Sequence, residues 1–501
     1  MFVVVLSTLL LVVISYVYLR WRQVRQYWAK RQVVHHPPHP ILGSMTFLQR
    51  ENPALWMRRM YEQFKEPYVG IWLFWRPSLI VNSPEIAKNI LVKDSALFRN
   101  RFVHSGSTDP IGKLNIFTLN DPLWSQIRKR LSVLFTGSKM RGLQNLVTKK
   151  SNELVERIEN ERKKSKFVDM RMLFTDYTTD VIGTASFGVV SDATLTGESA
   201  LRNVTKDFMK FDIYRGLCWC SVFFFPEMVN VFRFSLFPKQ TTEYLRKVFR
   251  TIVDQRGGFE TKVTEPKDLV DVLIKIKQDN HNSEDFDMTE DMMVAQASVF
   301  LQGGFDTTAT TLTFALYELA YHPEIQEKLR KELQEAKEKH GDNLLEANVL
   351  SQLTYLNCVI NEGLRKYPIM GWLDRVSTVD YKIDDHLTIT AGTPVYVNAV
   401  GMHYDPDIYP EPDTFNPDRF LPENEGNIKP YSYLPFGEGP RKCIGQRFGL
   451  SNARHALAAV MLKYELRVIP NTPRPSEVKL ERKGLFLSPE ETLSVEFVPR
   501  N

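Results

Sequence analysis

The stretch PFGEGPRKCIG, residues 435–445, decides the fold of this chain. Cys443 lies in this loop, and residues 447–462 behind it have the composition of a helix. A helix N-terminus offers unpaired N–H groups and a partial positive charge, and both favour a thiolate over a thiol. The glycines let a flat ligand approach the backbone closely. The loop therefore predicts a thiolate that can ligate a metal, against the alternative that Cys443 is an inert buried side chain.

Five positions of this loop form a longer pattern, Phe-x-x-Gly-x-Arg-x-Cys-x-Gly. They are Phe436, Gly439, Arg441, Cys443 and Gly445. The pattern resembles the haem-binding loop of the cytochromes P450. This resemblance implies a haem b cofactor bound by the loop, with Cys443 as the axial ligand of the iron, a thiolate that favours O–O cleavage. It also implies a mainly α fold with small β-sheets, built as one large haem domain behind an N-terminal transmembrane anchor.

Length, charge and cysteine content exclude several classes of protein. No Gly/Ser-rich linker, internal repeat or low-complexity tract divides the 501 residues after the first forty, so we expect one catalytic domain over residues 46–501. The formal net charge of +5 is small for this size and argues against a nucleic-acid-binding protein. The four cysteines are too few and too poorly spaced for a disulfide framework, which fits a reducing compartment.

The N-terminus is typical of a membrane anchor. Phe2 to Leu19 is a run of eighteen residues without a charge, and a spanning helix needs about 17–25 residues. A cleaved signal peptide is the alternative, but no basic region precedes the run and no clear cleavage site follows it. We therefore predict an anchor over residues 1–20 and a basic, proline-rich hinge over residues 21–45. The arginines and lysines of the hinge keep the catalytic domain in the cytosol, and Trp21, Tyr27 and Trp28 are expected at headgroup level.

Scattered arginines match the positions that hold the haem propionates in the cytochromes P450. Trp124 and Arg128 lie four apart on one helix face and resemble the family's Trp-x-x-x-Arg pair. Together with three further residues the resemblance gives a cofactor-binding set of Arg101, Trp124, Arg128, Arg375 and Arg441. Nearby, a basic cluster of Lys129, Arg130, Lys139 and Arg141 is either a solvated face or a docking patch for an acidic electron donor.

A long apolar helix is predicted from Thr289 to Tyr321, with Thr289 or Asp287 as its cap. Gly303 and Gly304 lie in its middle, where each glycine costs about 1 kcal/mol relative to alanine. Either a neighbouring helix packs tightly here, or a flat cofactor lies against the glycines and a local kink opens space for O₂ and water. The sequence Gly-Gly-Phe-Asp-Thr over residues 303–307 resembles the P450 pattern Ala/Gly-Gly-x-Asp/Glu-Thr. The resemblance implies that Thr307 and Asp306 are catalytic residues that deliver protons during O₂ reduction.

Behind the haem, Glu362 and Arg365 resemble the family's Glu-x-x-Arg pair, and Arg419 belongs to a Pro-x-Arg-Phe segment that resembles the partner of that pair. We expect a buried structural network that holds the cysteine loop. Regions that the family uses for substrate contact give an apolar pocket set of Ile116, Phe117, Phe305, Ile369, Met370, Trp372 and Leu485, although core packing explains any one of these side chains equally well. The aromatic stretch over residues 219–237 is expected to touch the membrane in part and to admit substrates.

The motifs occur in family order along the chain, and their details look most like animal, insect-type microsomal enzymes of the detoxification branch. The resemblance implies a monooxygenase of the endoplasmic reticulum membrane that inserts one oxygen atom into a lipophilic substrate. Its electrons would come from NADPH through cytochrome P450 reductase, with cytochrome b5 as a further candidate partner, and nucleic acid is not expected as a partner. A haem protein that binds a gas or apolar ligand without turnover, or a haem-thiolate isomerase that needs no reductase, is the alternative.

Overall fold

The fold was analysed in a computed structural model that describes residues 1–210, 212–279 and 286–500. The last residue of the predicted domain, 501, lies outside the described residues. The described chain is mostly helical, with three small sheets, and this confirms the predicted fold class.

The α-helices follow one another along the described chain with short connections. They are α1 Phe2–Arg25, α2 Pro53–Phe64, α3 Pro84–Lys88, α4 Pro110–Lys113, α5 Leu123–Leu131, α6 Gly137–Gly142, α7 Gln144–Lys164, α8 Met170–Phe187, α9 Ala193–Thr196, α10 Ala200–Phe208, α11 Ile213–Phe224, α12 Glu227–Phe232, α13 Lys239–Gln255, α14 Leu269–Asp279, α15 Glu290–Tyr321, α16 Pro323–His340, α17 Ala347–Gln352, α18 Thr354–Lys366, α19 Ala399–His403 and α20 Gln446–Lys463.

The strands form a four-stranded, a three-stranded and a two-stranded sheet. They are β1 Tyr68–Leu73, β2 Arg76–Val81, β3 Val168–Asp169, β4 Leu373–Val376, β5 Tyr381–Lys382, β6 Thr388–Ile389, β7 Pro394–Val397, β8 Tyr464–Arg467 and β9 Ser494–Pro499. The sheet orders are β1-β2-β7-β4, β3-β9-β8 and β5-β6. The predicted hairpin is the β1–β2 pair, with Tyr68 opposite Val81, and only the β2–β7 pairing is parallel among the paired strands described.

Helix α15 runs through the centre of the domain. Of the two predicted caps the structure uses Thr289, whose hydroxyl accepts a hydrogen bond from the Met292 N–H at 3.2 Å. Every side chain from Thr308 to Ala320 is buried. The helix packs most extensively on α8 and also contacts α18 and α20. It therefore forms the wall against which the elements around the cysteine loop are assembled.

Helix α1 is long and apolar enough to cross a membrane, and its apolar side chains are exposed. The residues after it, in contrast, are docked on the catalytic domain. Trp28 is fully buried, and its indole N–H donates to the Ile71 carbonyl at 3.0 Å. Gly70 makes this contact possible, because a Cβ atom at that position would lie 2.5 Å from the Trp28 ring. The prediction that Trp28 lies at headgroup level is therefore wrong, since β1 offers the indole both an apolar surface and a hydrogen-bond acceptor.

The proline-rich segment continues along the same strand. The Gly70 N–H donates to the Val34 carbonyl at 2.9 Å, and the His36 N–H donates to the Gly70 carbonyl at 3.0 Å. Further on, the Ser44 N–H donates to the Trp72 carbonyl at 2.7 Å. This part of the predicted hinge is thus held to the edge of the four-stranded sheet by backbone hydrogen bonds.

We expect Trp28→Ala to lower the free energy of unfolding by about 3–5 kcal/mol, the usual cost of removing a large buried aromatic side chain. The measurement is denaturant unfolding of the chain lacking residues 2–20, followed by circular dichroism. Trp21→Ala is the matched control, because that ring is only half-buried and meets Trp75 at a centroid distance of 6.1 Å. Equal losses of unfolding free energy in the two variants would show that the buried Trp28 stabilises the folded domain no more than the half-buried Trp21 does.

Candidate functional site

The cysteine loop is a tight turn that two glycines make possible. Gly437 and Gly439 have φ angles of +69° and +74°, and a Cβ atom on Gly439 would lie 1.8 Å from the Leu91 carbonyl oxygen. The Cys443 N–H donates to the Phe436 carbonyl at 2.9 Å and closes the loop. Helix α20 begins at Gln446, which confirms the helix predicted behind the cysteine. Gly439 therefore lies on the side of the loop that packs against the Leu91 backbone, and its lack of a side chain allows this close contact.

The Cys443 side chain is exposed and lines a large cavity. Desolvation by the surrounding protein raises the pKa of the thiol, whereas the Gly445 N–H and the Arg128 charge lower it. The Gly445 N–H at the start of α20 favours the thiolate, as expected, but desolvation of the sulfur opposes it more strongly. A cation bound at the sulfur would supply the missing stabilisation, since a coordinating thiol is deprotonated by its metal.

Arg441 crosses the edge of the cavity beside the loop. Its guanidinium lies 3.8 Å from the centroid of the Trp124 ring, and its Nε and Nη2 donate to the carbonyls of Arg99 and Leu119 at 2.8 and 2.9 Å. The Nη1 atom is buried and has no partner among the described residues. Burial, with the charges of Arg101 and Arg375 next, lowers the pKa of Arg441 to about 8. A buried cation with an unused donor is a binding position for an anionic group.

Arg101 and Arg375 surround one carboxylate at the same edge. Arg101 forms an ion pair with Asp374, with 3.0 Å between Nε and Oδ1. Among the described residues, the Arg375 side chain donates only to the Asp374 main-chain carbonyl, at 2.8 Å, and burial followed by the Arg101 charge lowers its pKa to about 10. With Arg441, three guanidinium groups lie near the Asp374 carboxylate, and Asp121 is a second carboxylate close to Arg441. Asp374 was not predicted, although its position before Arg375 is the one local signal that could have indicated it.

The predicted cofactor residues converge on this one cavity. Those that line it are Arg101, Trp124, Arg128, Gly303, Gly304, Arg375, Phe436, Arg441 and Cys443. Arg128 also donates to the Lys442 carbonyl at 2.8 Å, so α5 holds the cysteine loop directly. In this cavity a flat apolar group could lie against the glycines. A cation at its centre would face the Cys443 thiol, and its anionic substituents would face the arginine donors. The donor set therefore fits a haem with its two propionates.

The two central glycines of α15 have different surroundings. A Cβ atom on Gly304 would lie 2.5 Å from the Ile182 side chain, whereas one on Gly303 would meet nothing within 4 Å. The helix continues unbroken from Glu290 to Tyr321. Tight helix packing therefore explains Gly304, because α8 lies against it. The open cavity explains Gly303.

Thr307 and Asp306 also line the cavity. The Thr307 hydroxyl donates to the Gly303 carbonyl at 2.7 Å, which leaves its oxygen lone pairs available as acceptors. Asp306 forms an ion pair with Arg171 of α8 at 3.3 Å, and Arg171 also donates to the Pro489 carbonyl at 3.1 Å. Arg171 was not predicted, because no spacing in the sequence relates it to residue 306.

Glu362 and Arg365 form a fully buried ion pair on α18, with distances of 2.7 and 2.8 Å. The third predicted member, Arg419, reaches the carboxylate with Nε at 3.5 Å and donates to the Glu411 carbonyl at 2.8 Å. The Asn416 N–H donates to the same carboxylate at 2.9 Å. The three residues therefore meet as expected, and their role in holding the cysteine loop stays a prediction.

The predicted pocket residues divide into two groups. Ile116, Phe117, Ile369 and Met370 line the cavity, whereas Phe305, Trp372 and Leu485 do not. Each residue of the second group is nearly or fully buried: Phe305 stacks on Phe208 at 6.3 Å, Trp372 lies 5.5 Å from Phe224, and Leu485 belongs to the main core. Their side chains point away because helix and loop packing, and not chain position, sets which neighbour faces the cavity.

Other apolar side chains complete the wall. Among those that were not predicted to line it are Ile182, Trp219, Phe223, Leu236, Val299 and Phe486. Ile116 is held by Gln296 of α15, whose side-chain oxygen accepts from the Ile116 N–H at 2.8 Å while its nitrogen donates to the Leu114 carbonyl at 2.7 Å. Phe223 and Trp219 are buried, so the part of the aromatic stretch that is exposed is in α12, at Val231 and Phe232.

Comparison with known proteins agrees with this geometry. The family model for cytochrome P450 matches residues 34–497. Cytochrome P450 6k1 of Blattella germanica is 34% identical over 495 residues, covering 95% of this chain and 93% of that protein. Cytochrome P450 6l1 of the same insect is 35% identical over 479 residues, with 95% and 93% covered. Cytochrome P450 6a9 of Drosophila melanogaster is 34% identical, with 97% of both chains covered.

These matches extend over almost the whole described chain and include the cysteine loop, the arginine edge and the glycine face of α15. The similar proteins are insect enzymes, in agreement with the insect-type resemblance of the motifs. The chain therefore belongs to the cytochrome P450 family of haem-dependent monooxygenases.

Proposed function

We propose that this chain is a microsomal monooxygenase that inserts one atom of O₂ into a lipophilic substrate, with electrons from NADPH delivered by cytochrome P450 reductase. The balanced reaction converts R–H, O₂, NADPH and a proton into R–OH, water and NADP⁺. The observation that carries the proposal is that Cys443, Thr307 and the arginine edge line one cavity with mostly apolar walls.

The chain's own residues would hold haem b by three kinds of contact. Cys443 would ligate the iron, Arg441, Arg375, Arg101, Arg128 and Trp124 would bind the propionates, and Gly303 would lie against the ring. The unused Nη1 of Arg441 and the single hydrogen bond of Arg375 support this assignment. The bound haem supplies the redox chemistry that activates O₂.

Proton delivery is assigned to Thr307 and Asp306. The reaction needs protons where one oxygen atom becomes water, and these two residues bring a hydroxyl and a carboxylate to the α15 wall of the cavity. The Thr307 oxygen can accept a hydrogen bond from a water molecule while its hydroxyl proton stays in the hydrogen bond to the Gly303 carbonyl. Asp306, held by Arg171, lies one residue away, and its carboxylate can take up a proton from solvent and pass it to that water.

The membrane placement is supported by aromatic contacts that lead from the end of helix α1, through the β1–β2 turn, to the junction of α11 and α12. The Trp21 ring lies 6.1 Å from Trp75 in the β1–β2 turn, and Phe74 in that turn lies 5.0 Å from Phe225. Phe225 joins α11, which lines the cavity, to α12, where Val231 and Phe232 are 70% and 60% exposed. We therefore infer an endoplasmic reticulum enzyme whose α12 dips into the bilayer and admits substrate, with the domain in the cytosol.

The docking site for the electron donor is assigned to the basic cluster of Lys129, Arg130, Lys139 and Arg141. Lys129 and Arg141 are exposed, and Lys129 follows Arg128, which bonds the Lys442 carbonyl next to Cys443. An acidic reductase surface docked here would lie close to the cysteine loop. Cytochrome b5 would use the same surface.

The first prediction concerns the axial ligand. Purified chain, reduced under carbon monoxide, should show the strongly red-shifted absorption band of a thiolate-ligated haem, and reconstitution with reductase and NADPH should oxidise lipophilic substrates. Cys443→His should abolish both the band and the turnover, whereas Cys358→Ser, a buried thiol of α18 outside the cavity wall, should keep them. A band that survived in the Cys443 variant would remove the basis of the proposal.

The second prediction concerns Thr307. Thr307→Ala should lower product formed per NADPH by up to about 10²-fold, with hydrogen peroxide released in its place, because positioned proton transfer contributes about 10²–10⁴-fold. Thr313→Ala is the matched control, since its hydroxyl makes the same bond to Ala309 at 2.8 Å but does not line the cavity. Unchanged coupling in the Thr307 variant would rule out its role.

The third prediction concerns the basic cluster. Reversal of both Lys129 and Arg141 to Glu should raise the KM for reductase about tenfold, which corresponds to about 1.4 kcal/mol, without change in the carbon monoxide band. Steady-state NADPH oxidation at varied reductase and salt concentrations measures this effect. Lys166→Glu, an exposed charge beside the three-stranded sheet, is the control. A KM that did not respond to the double reversal would place the donor elsewhere.

A further inference from the structure

His403 is a buried histidine with both ring nitrogens hydrogen-bonded. It ends α19 and is fully buried. Nδ1 lies 3.0 Å from the Arg365 carbonyl oxygen, and Nε2 accepts from the Leu434 N–H at 2.9 Å. Because a backbone N–H can only donate, Nε2 must be the unprotonated nitrogen. Nδ1 therefore carries the proton and donates to Arg365, so the two contacts fix both the tautomer and the ring orientation.

The ring joins the buried ion pair to the start of the cysteine loop. The contact to Arg365 is reciprocal, because its guanidinium donates to the His403 carbonyl at 2.8 Å. On the other side, the Leu434 carbonyl accepts from the Gly437 N–H at 3.1 Å, inside the loop that the Cys443 N–H closes. A continuous run of direct contacts thus leads from Glu362 to the loop that carries the cysteine.

No second contact described for the Leu434 N–H could replace His403. The bond to Nε2 is the one hydrogen bond that this N–H makes within the described residues. The next residue is Pro435, which has no N–H, so Leu434 provides the last backbone donor before Phe436. A buried N–H without an acceptor costs about 1–3 kcal/mol. The position of the loop's first residues therefore depends on an acceptor at Nε2.

The surroundings keep that acceptor available. Burial, followed by the charge of Arg365, lowers the pKa of His403 to about 3, so the ring stays neutral at physiological pH. The Tyr433 ring stacks beside it at a centroid distance of 5.5 Å, and the Tyr433 hydroxyl donates to the Asn361 carbonyl at 3.0 Å. Aromatic packing and two hydrogen bonds together leave the imidazole a single orientation.

We propose that His403 is a positioning residue that transmits the geometry of the Glu362–Arg365 pair to the Cys443 loop and so fixes the thiolate as the iron ligand. The proposal rests on the proposed function of Cys443 as axial ligand. His403 acts through the Leu434 backbone and touches neither cofactor nor substrate. Its loss should shift haem from the thiolate-ligated to a non-thiolate form while the rest of the fold stays intact.

Two near-isosteric variants separate the two ring nitrogens. His403→Gln can place its amide oxygen near the position of Nε2 and so keep an acceptor for the Leu434 N–H. His403→Asn can place its amide nitrogen near the position of Nδ1, keeping a donor for the Arg365 carbonyl but leaving Leu434 unpaired. Both variants lose one hydrogen bond, so an effect on global stability alone should be similar in the two.

The experiment compares the full-length holoprotein of both variants with the wild type. The ratio of thiolate-ligated to non-thiolate haem, read from the ferrous carbon monoxide spectrum in mild denaturant, should fall about tenfold in His403→Asn and stay within about twofold in His403→Gln. Tyr433→Phe is the control, because it removes the neighbouring hydroxyl bond and should keep the wild-type ratio. Equal ratios in the Asn and Gln variants, or an unchanged ratio in Asn, would overturn the proposal.

Hydrogen exchange provides a readout that does not depend on the iron ligand. A peptide covering residues 429–436 contains the Leu434 amide, which should exchange faster in His403→Asn than in His403→Gln. Equal exchange would overturn the contact itself. If wild-type protein lacked the red-shifted band, the proposed function would fail whatever the exchange data showed, so the two failures are distinguishable. Complete loss of haem in His403→Asn but not in His403→Gln would also support the role of Nε2.

Discussion

We expect the arrangement around the cysteine to depend on the buried ion pair between Glu362 and Arg365. Desolvation of two charges costs about as much as their attraction returns, so the pair contributes mainly through its remaining bonds. Arg365 donates to the carbonyls of His403 and Pro412, and Glu362 accepts from the Asn416 N–H. Three separate segments of chain therefore converge on one pair of side chains. Loss of either partner would leave a buried charge and unpaired backbone groups at the same time.

The charges of Glu362 and Arg365 balance each other, whereas the cavity edge carries an excess of positive charge. Asp374 must serve Arg101, and its second oxygen is already engaged by the Phe102 N–H at 2.9 Å. Arg375 and Arg441 then donate to main-chain carbonyls and, for Arg441, to the Asn120 side chain, and within the described part of the chain neither forms an ion pair with a carboxylate. A polypeptide optimised for stability alone would not keep such an excess of buried cations. The imbalance makes sense where an anionic cofactor completes the charge, and it explains why the framework beside it must be so fully satisfied.

Local sequence signals predicted the parts of this site that depend on neighbouring residues. The Thr289 cap, the β1–β2 hairpin and the helix behind Cys443 all follow from spacing and residue type. The facing of side chains was not predictable in the same way, because Phe305 packs on Phe208, more than ninety positions earlier. His403 gave no signal at all, since its partners Arg365 and Leu434 are brought together only by the folded chain. The roles assigned to the motif residues stay predictions, although their convergence on one cavity is what those roles require.

The four-stranded sheet connects the segment after helix α1 to the arginine edge of the cavity. Its order is β1-β2-β7-β4, with the buried Trp28 packed on Gly70 of β1 and the arginine edge beginning at Arg375 of β4. A free hinge after the anchor would let the cavity take any tilt relative to the bilayer. Because Trp28 and the segment that follows it are bonded to β1, the tilt is set by packing across the sheet, and linker length has little influence. For an enzyme that takes lipophilic molecules from the membrane, an orientation fixed in this way would keep helices α11 and α12 next to the bilayer at every turnover.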